Sequence, residues 1–208
     1  MNDSLTVAAT LLVVGPIVGA AGLARPALFR AWTAPREEHL ALVRAHRRDW
    51  ALANAGFTTA TVATAAGLAL LAEAVTPGAG PTAVLVAATA AYAIAGALWC
   101  AVVAVRDRTT PALAEMVAAG TPTEPAETLI GAAIGGLFAA FMLVTSASLV
   151  AIGLTLALSG GVAAPVAWLA TLIATGAFVG SIPPREIIPA VIYFPTFFIG
   201  LALLFGWS

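Results

Sequence analysis

The sequence predicts an all-α integral membrane protein: a six-transmembrane-helix bundle with both termini on the outer side and an amphipathic cytoplasmic stem helix before the second span. Three observations carry this. Hydrophobic residues make up 61% of the chain and charged residues 9%, whereas a soluble domain carries roughly 25% charged residues; mean hydropathy is +1.01. Six apolar runs fall at about 5–23, 50–74, 82–105, 129–158, 164–182 and 187–207, most of them near or above the ~20 residues that a helix needs to cross a bilayer. All nine basic residues are arginines, and they lie only in the connections after the first, third and fifth runs: six, two and one respectively. The positive-inside rule puts those connections in the cytoplasm. At 208 residues the chain has room for these spans and short connections, one polytopic domain over 1–208.

Span one holds Gly15, Pro16, Gly19 and Gly22, which offer a kink and a small-xxx-small packing face. No positive region precedes it, so it reads as a retained span rather than a cleaved signal. The stretch from Pro35 to Phe57 gathers four of the nine arginines, both histidines and three of the ten acids. At 100° per residue, His39, Leu42, Val43, His46, Trp50, Ala53 and Phe57 share one stripe, with Asn54 at its edge, opposite Glu37, Arg44 and Arg48. With no breaker between them, this stem is expected to run straight into span two, whose Thr58, Thr59, Thr61 and Thr64 can bond to neighbouring helices or to their own carbonyls.

The stretch Thr76–Pro81 predicts a tight turn. Span three closes on Trp99, Arg106, Asp107 and Arg108, and a polar connection with a short interfacial helix over 111–119 is expected next. Glu124 and Glu127 stand at the mouth of span four, whose 30 residues require tilt or projection. Gly131 with Gly135, and Gly176 with Gly180 in span five, repeat the GxxxG pattern. Span six contains Pro189 and Pro195, so it is expected to be the least regular. Trp32 and Trp50 would mark the inner interface, Trp168 and Trp207 the outer.

Several function classes are disfavoured. A net charge of −1 leaves no basic surface for nucleic acid. The absence of lysine excludes a Schiff base, and the single Cys100 excludes an intramolecular disulfide or a multi-cysteine metal site. His39 and His46, seven residues apart, are too far along a helix to share one metal, and no cofactor is implied. No ionisable residue lies mid-span, which argues against an ion-coupled transporter.

What remains is a charged cytoplasmic rim beneath an apolar interior. His46, Asp49, Glu124 and Glu127 are the candidate catalytic groups; Asn54, Trp50, Arg106, Arg185, Glu186 and Tyr193 are the candidate ligand-binding ones. His46 and Asp49 at i, i+3 could hydrogen-bond and raise the basicity of the imidazole. Glu124 and Glu127 at i, i+3 could repel and raise a carboxyl pKa, or simply cap the helix. Arg106 and Arg185 could hold an anionic headgroup. The expected function is binding or conversion of an isoprenoid or other lipid-like molecule, with acid and base chemistry if the protein is an enzyme. The alternative reading of the rim charges is a purely topological role. Two other classes stay open: a neutral-solute facilitator, and a scaffold or accessory subunit of a membrane complex. Membrane lipids are the expected partners, with homo-oligomer or complex contacts through the GxxxG faces. The arginine-only, alanine-rich composition suggests a bacterial source and its cytoplasmic membrane.

Overall fold

The computed structural model describes residues 3–75, 78–160, 162–181 and 189–206. These residues form seven α-helices: α1 (Asp3–Leu23), α2 (Arg36–Ala45), α3 (Arg47–Ala74), α4 (Ala79–Ala118), α5 (Glu124–Ser159), α6 (Ala164–Gly180) and α7 (Tyr193–Leu204). Short 3-10 turns at Phe29–Trp32 and Pro189–Ile192 precede α2 and α7. Among the described residues there is no strand, and α1, α3, α4 and α5 are each long and apolar enough to cross a membrane. The helices α6 and Ala190–Leu204 are apolar but shorter.

Helix α1 packs on α3, α3 on α4, α4 on α5, α5 on α6 and α6 on α7, and α7 returns to α1. Six helices thus close into a ring, and α2 lies outside it against α4. The ring closes tightly where glycine lets backbones meet. A Cβ on Gly67 would sit 2.9 Å from Leu12 Cγ and 3.1 Å from the Ala8 carbonyl; one on Gly22 would meet the Ala53 carbonyl at 3.1 Å. Gly15 and Gly19 face Ala60 on the same seam, so the glycine face of α1 is filled from within the chain. On the other side of α1, Gly200 of α7 fits against Leu12 and Val13. By contrast, Gly131, Gly135, Gly136 and Gly176 face open space.

This contrast gives a direct test of packing. A Cβ on Gly153 would lie 2.3 Å from Thr171 Oγ1 and 3.2 Å from the Thr171 backbone. Gly153→Ala is therefore expected to destabilise by about 1–3 kcal/mol, while Gly131→Ala, which also favours the helix, should be neutral or slightly stabilising. Unfolding of both variants in mixed detergent micelles would check this, and equal effects would contradict the α5–α6 seam.

Four sequence expectations need correction. The stem does not run unbroken into span two: α2 ends at Ala45, and His46 adopts φ −121°, ψ 42° before α3 begins. The polar connection after span three is instead helix. With 40 residues, α4 rises about 60 Å, carrying Arg106, Asp107, Arg108 and the buried Pro111 along without a break. The last helix starts at Tyr193 and has 12 residues, so Pro195 falls in its first turn rather than kinking its middle. Trp50, expected to face the inner interface, is instead fully buried among the helices. Helix α5 has 36 residues, about 54 Å, and stops at Gly160, whose φ of +73° supplies the left-handed C-terminal cap. Trp207 lies outside the described residues.

Candidate functional site

The described arginines of the long connections converge on one end of the ring, where cross-element ion pairs fix the helix ends. Arg25 Nη1 donates to Asp49 Oδ1 at 2.8 Å, tying the end of α1 to the start of α3. Arg44 reaches Glu115 at 3.1 Å and Arg30 reaches Glu38 at 3.5 Å. Arg36 pairs with Glu127 through two hydrogen bonds, the Nε one at 2.6 Å, and donates to Thr123 Oγ1 at 2.8 Å. Together, Arg36 and Arg44 strap α2 to the tip of the α4–α5 hairpin.

These contacts rearrange the candidate pairs. Asp49 is engaged by Arg25, and the imidazole of His46, half-buried at the break between α2 and α3, has no hydrogen bond or ion pair among the described residues. Breaking the helix at His46 removes the i, i+3 geometry that would have joined them. Glu124 is exposed and Glu127 belongs to Arg36. Of the two readings for this pair, the raised carboxyl is reversed at Glu127: the Arg36 guanidinium, then the Thr123 hydroxyl, hold it down to about 2.

A pH dependence follows. Because the folded carboxyl lies below its ordinary 4.5, the Arg36 contact contributes fully above that value and is lost as pH falls through about 2. Wild type should therefore lose stability relative to Glu127→Gln between these limits. Thermal unfolding of the two proteins across that range checks it; parallel curves would show that the pair contributes nothing.

Beside the ion pairs stands an aromatic column. The Trp32 and Trp50 rings stack at 5.7 Å, His39 meets Trp50 edge-on at 5.6 Å, and Phe57 meets Trp32 at 5.9 Å. Phe57 leads to Trp99 at 6.3 Å, which stacks on Phe141 at 5.0 Å. His39 is oriented by a 2.9 Å contact between Nδ1 and the Ala31 carbonyl, and Trp32 Nε1 donates to the Leu23 carbonyl. The Arg106 guanidinium rests against both tryptophans of the stack, 5.8 Å from Trp32 and 5.4 Å from Trp50, a cation–π arrangement that grows in worth as water is withdrawn. Next to it, Asn54 is buried and donates from Nδ2 to Asp107 Oδ1 at 3.3 Å.

Above this end, a cavity of about 180 Å³ is walled by Pro16, Ile17, Gly19, Ala20 and Leu23 of α1, Phe57 of α3, Trp99 of α4, Ala190 of the second 3-10 turn, and Tyr193, Phe194 and Phe197 of α7. It opens at the side, where Ile17 and Phe194 are exposed. The lining is apolar apart from two groups. Tyr193 Oη shares a 2.8 Å hydrogen bond with Thr61 Oγ1, whose own proton can also go to the Phe57 carbonyl. Trp99 Nε1 is buried with no hydrogen-bond acceptor.

The structure therefore brings Trp50 and Arg106 together and sets Asn54 with Asp107 beside them. It places Tyr193 in the cavity wall and leaves Glu124 and Glu127 at the hairpin tip. Arg185 and Glu186 lie outside the described residues. Sequence reasoning passed over Trp99, Trp32, Arg36 and Arg25 as functional positions. Trp99 carried a signal, since seven residues separate it from Arg106, two helical turns or about 10 Å along one face of α4. Among the described residues no group of three or more His, Cys, Asp or Glu side chains is arranged to hold a metal ion.

Comparison with known protein families, with curated proteins and with solved structures finds no match to this chain.

Proposed function

We propose that this chain is a multi-pass protein of a bacterial cytoplasmic membrane that binds an isoprenoid or other lipid-like molecule. The apolar part of the ligand enters the side cavity between α1 and α7, and its polar group points to the charged end. In this reading the six ring helices are the six spans, the last completed by the 3-10 turn and α7, with both termini outside and the charged end in the cytoplasm. The alternation of arginine-bearing connections supports that orientation.

The observation that carries the reading is the cavity itself: apolar, open sideways toward where acyl chains would lie, and large enough for a ring or a branched five- to six-carbon unit. A cavity of about 150 Å³ takes up benzene. Binding is favoured over conversion, because Asp49 and Glu127, two of the four candidate acid–base groups, are neutralised by arginines. If conversion occurs, His46 and Glu124 are the groups left to move a proton.

The test is native mass spectrometry of protein extracted gently from its own membrane, with identification of whatever it retains. Ala20 is exposed at the cavity wall, so Ala20→Phe should fill the mouth without disturbing the core. Wild type should retain one apolar or amphipathic species, and Ala20→Phe about tenfold less of it, as expected when a preformed apolar pocket is blocked. Equal retention by both proteins, or no retained species, would overturn the reading.

A further inference from the structure

We propose that Arg106, resting on the Trp32–Trp50 stack, is the receptor for an oxyanion, a phosphate or carboxylate, at the charged end. This rests on the lipid-like ligand reading and specifies the headgroup that ligand carries. Eight arginines are described. Arg25, Arg30, Arg36 and Arg44 have carboxylate partners, and Arg47, Arg48 and Arg108 are exposed to solvent. Arg106 is the exception among the described residues: its guanidinium is largely withdrawn from solvent and no carboxylate compensates it. Asp107, its neighbour in sequence, is bonded by Asn54, and Asp49 by Arg25.

The tryptophans supply position rather than neutralisation. Contact with two rings at 5.4 and 5.8 Å restrains the guanidinium plane but accepts no hydrogen bond from its in-plane N–H groups. A restrained guanidinium with free in-plane donors matches two oxygens of a phosphate or carboxylate, the bidentate geometry that arginine favours. Burial sharpens the match, since a desolvated cation without an anion is the costly state that a ligand relieves. Trp99, in the cavity wall, is two turns from Arg106 on the same helix, about 10 Å, which is short enough for one amphiphile to place its chain in the cavity and its headgroup at Arg106. The same oxyanion could come from a lipid headgroup or from free phosphate.

Trp32 and Trp50 make the test direct, because an anion that engages Arg106 changes the surroundings of both indoles. Purified protein in zwitterionic nanodiscs is titrated with dodecyl phosphate, dodecanoate, dodecanol and inorganic phosphate while tryptophan emission is followed. The two anionic chains are expected to bind about tenfold tighter than dodecanol. Arg106→Gln should erase that preference while leaving dodecanol binding unchanged, and Arg106→Lys, which keeps charge but not the fork, should keep roughly a third of it. Should Arg106→Gln fail to fold, Arg106→Lys carries the test, and full retention of the preference by that variant would overturn the Arg106 site. Inorganic phosphate that does not compete identifies a lipid headgroup as the source. Competition at the same concentration as dodecyl phosphate identifies a free oxyanion; the Arg106 site then stands and the cavity reading falls. Equal binding of dodecanol and dodecyl phosphate overturns the Arg106 site and leaves the cavity reading standing. No binding of any probe overturns both.

Discussion

Replacing Trp50 by alanine is expected to cost about 3–5 kcal/mol, the range for deleting a large buried aromatic. Trp50 is fully buried, and four groups depend on its ring: Trp32 stacked at 5.7 Å, His39 edge-on at 5.6 Å, the Arg106 guanidinium at 5.4 Å, and Phe57 through Trp32. The loss is thus a cavity plus one of the two ring contacts that hold Arg106. Trp50→Phe keeps a ring and should recover more than half of the loss. The comparison is made by equilibrium unfolding in mixed micelles, with near-ultraviolet circular dichroism to report the tryptophan stack. A loss under about 1 kcal/mol for Trp50→Ala, the level of an ordinary surface change, would mean that the column does not organise the charged end.

The second large effect is expected at Gly67. Its Cβ alone would approach Leu12 Cγ at 2.9 Å, Leu12 Cδ2 at 3.0 Å and the Ala8 carbonyl at 3.1 Å. Gly67→Leu adds four carbons where one does not fit, so α1 and α3 must separate along their seam. Overpacking typically costs about 1–3 kcal/mol and more when backbone stands in the way; a loss at or above the top of that range is expected here. Because α1 also carries most of one cavity wall, the variant should lose ligand retention together with stability. Size-exclusion behaviour and thermal unfolding of Gly67→Leu beside Gly135→Leu separate the two sites, since a side chain at Gly135 meets open space. Similar behaviour of the two would contradict the seam.

The long apolar helices and the gathering of charge were readable because both depend on sums over many residues. Runs of apolar residues have few alternatives to membrane-length helix, and the arginines of alternate connections must meet when consecutive helices run antiparallel. The helix break at His46 was not readable. Ala45, His46 and Arg47 contain no breaker, and α2 turns away because Arg36 and Arg44 find Glu127 and Glu115 on the α4–α5 hairpin. Those partners are 91 and 71 residues distant, and no local pattern encodes them. Arg106, Asp107 and Arg108 read as the end of a helix because charge marks the end of an apolar layer. Hydrogen bonding along α4 does not respect that layer, and one proline at 111 removes only one donor. The site was legible in part for the same reason. Arg106, Trp50 and Tyr193 stood out as polar or aromatic residues at the edges of apolar runs. The pairing of Asp49 with Arg25, rather than with His46, depended on where α1 ends beside α3.

The unbroken length of α4 has a mechanical consequence. From Arg106 to Ala118 the helix extends roughly 18 Å beyond the tryptophan stack, and α2 is strapped to that extension and to the start of α5. A stiff rod pivoting near Arg106 acts as a lever, so a tilt of about 5° within the ring displaces its far end by about 1.5 Å over that length. Any repacking at the cavity that tilts α4 is delivered as a shift of α2, the amphipathic helix outside the ring, and the ion pairs of Arg36 and Arg44 are the couplings through which that motion passes.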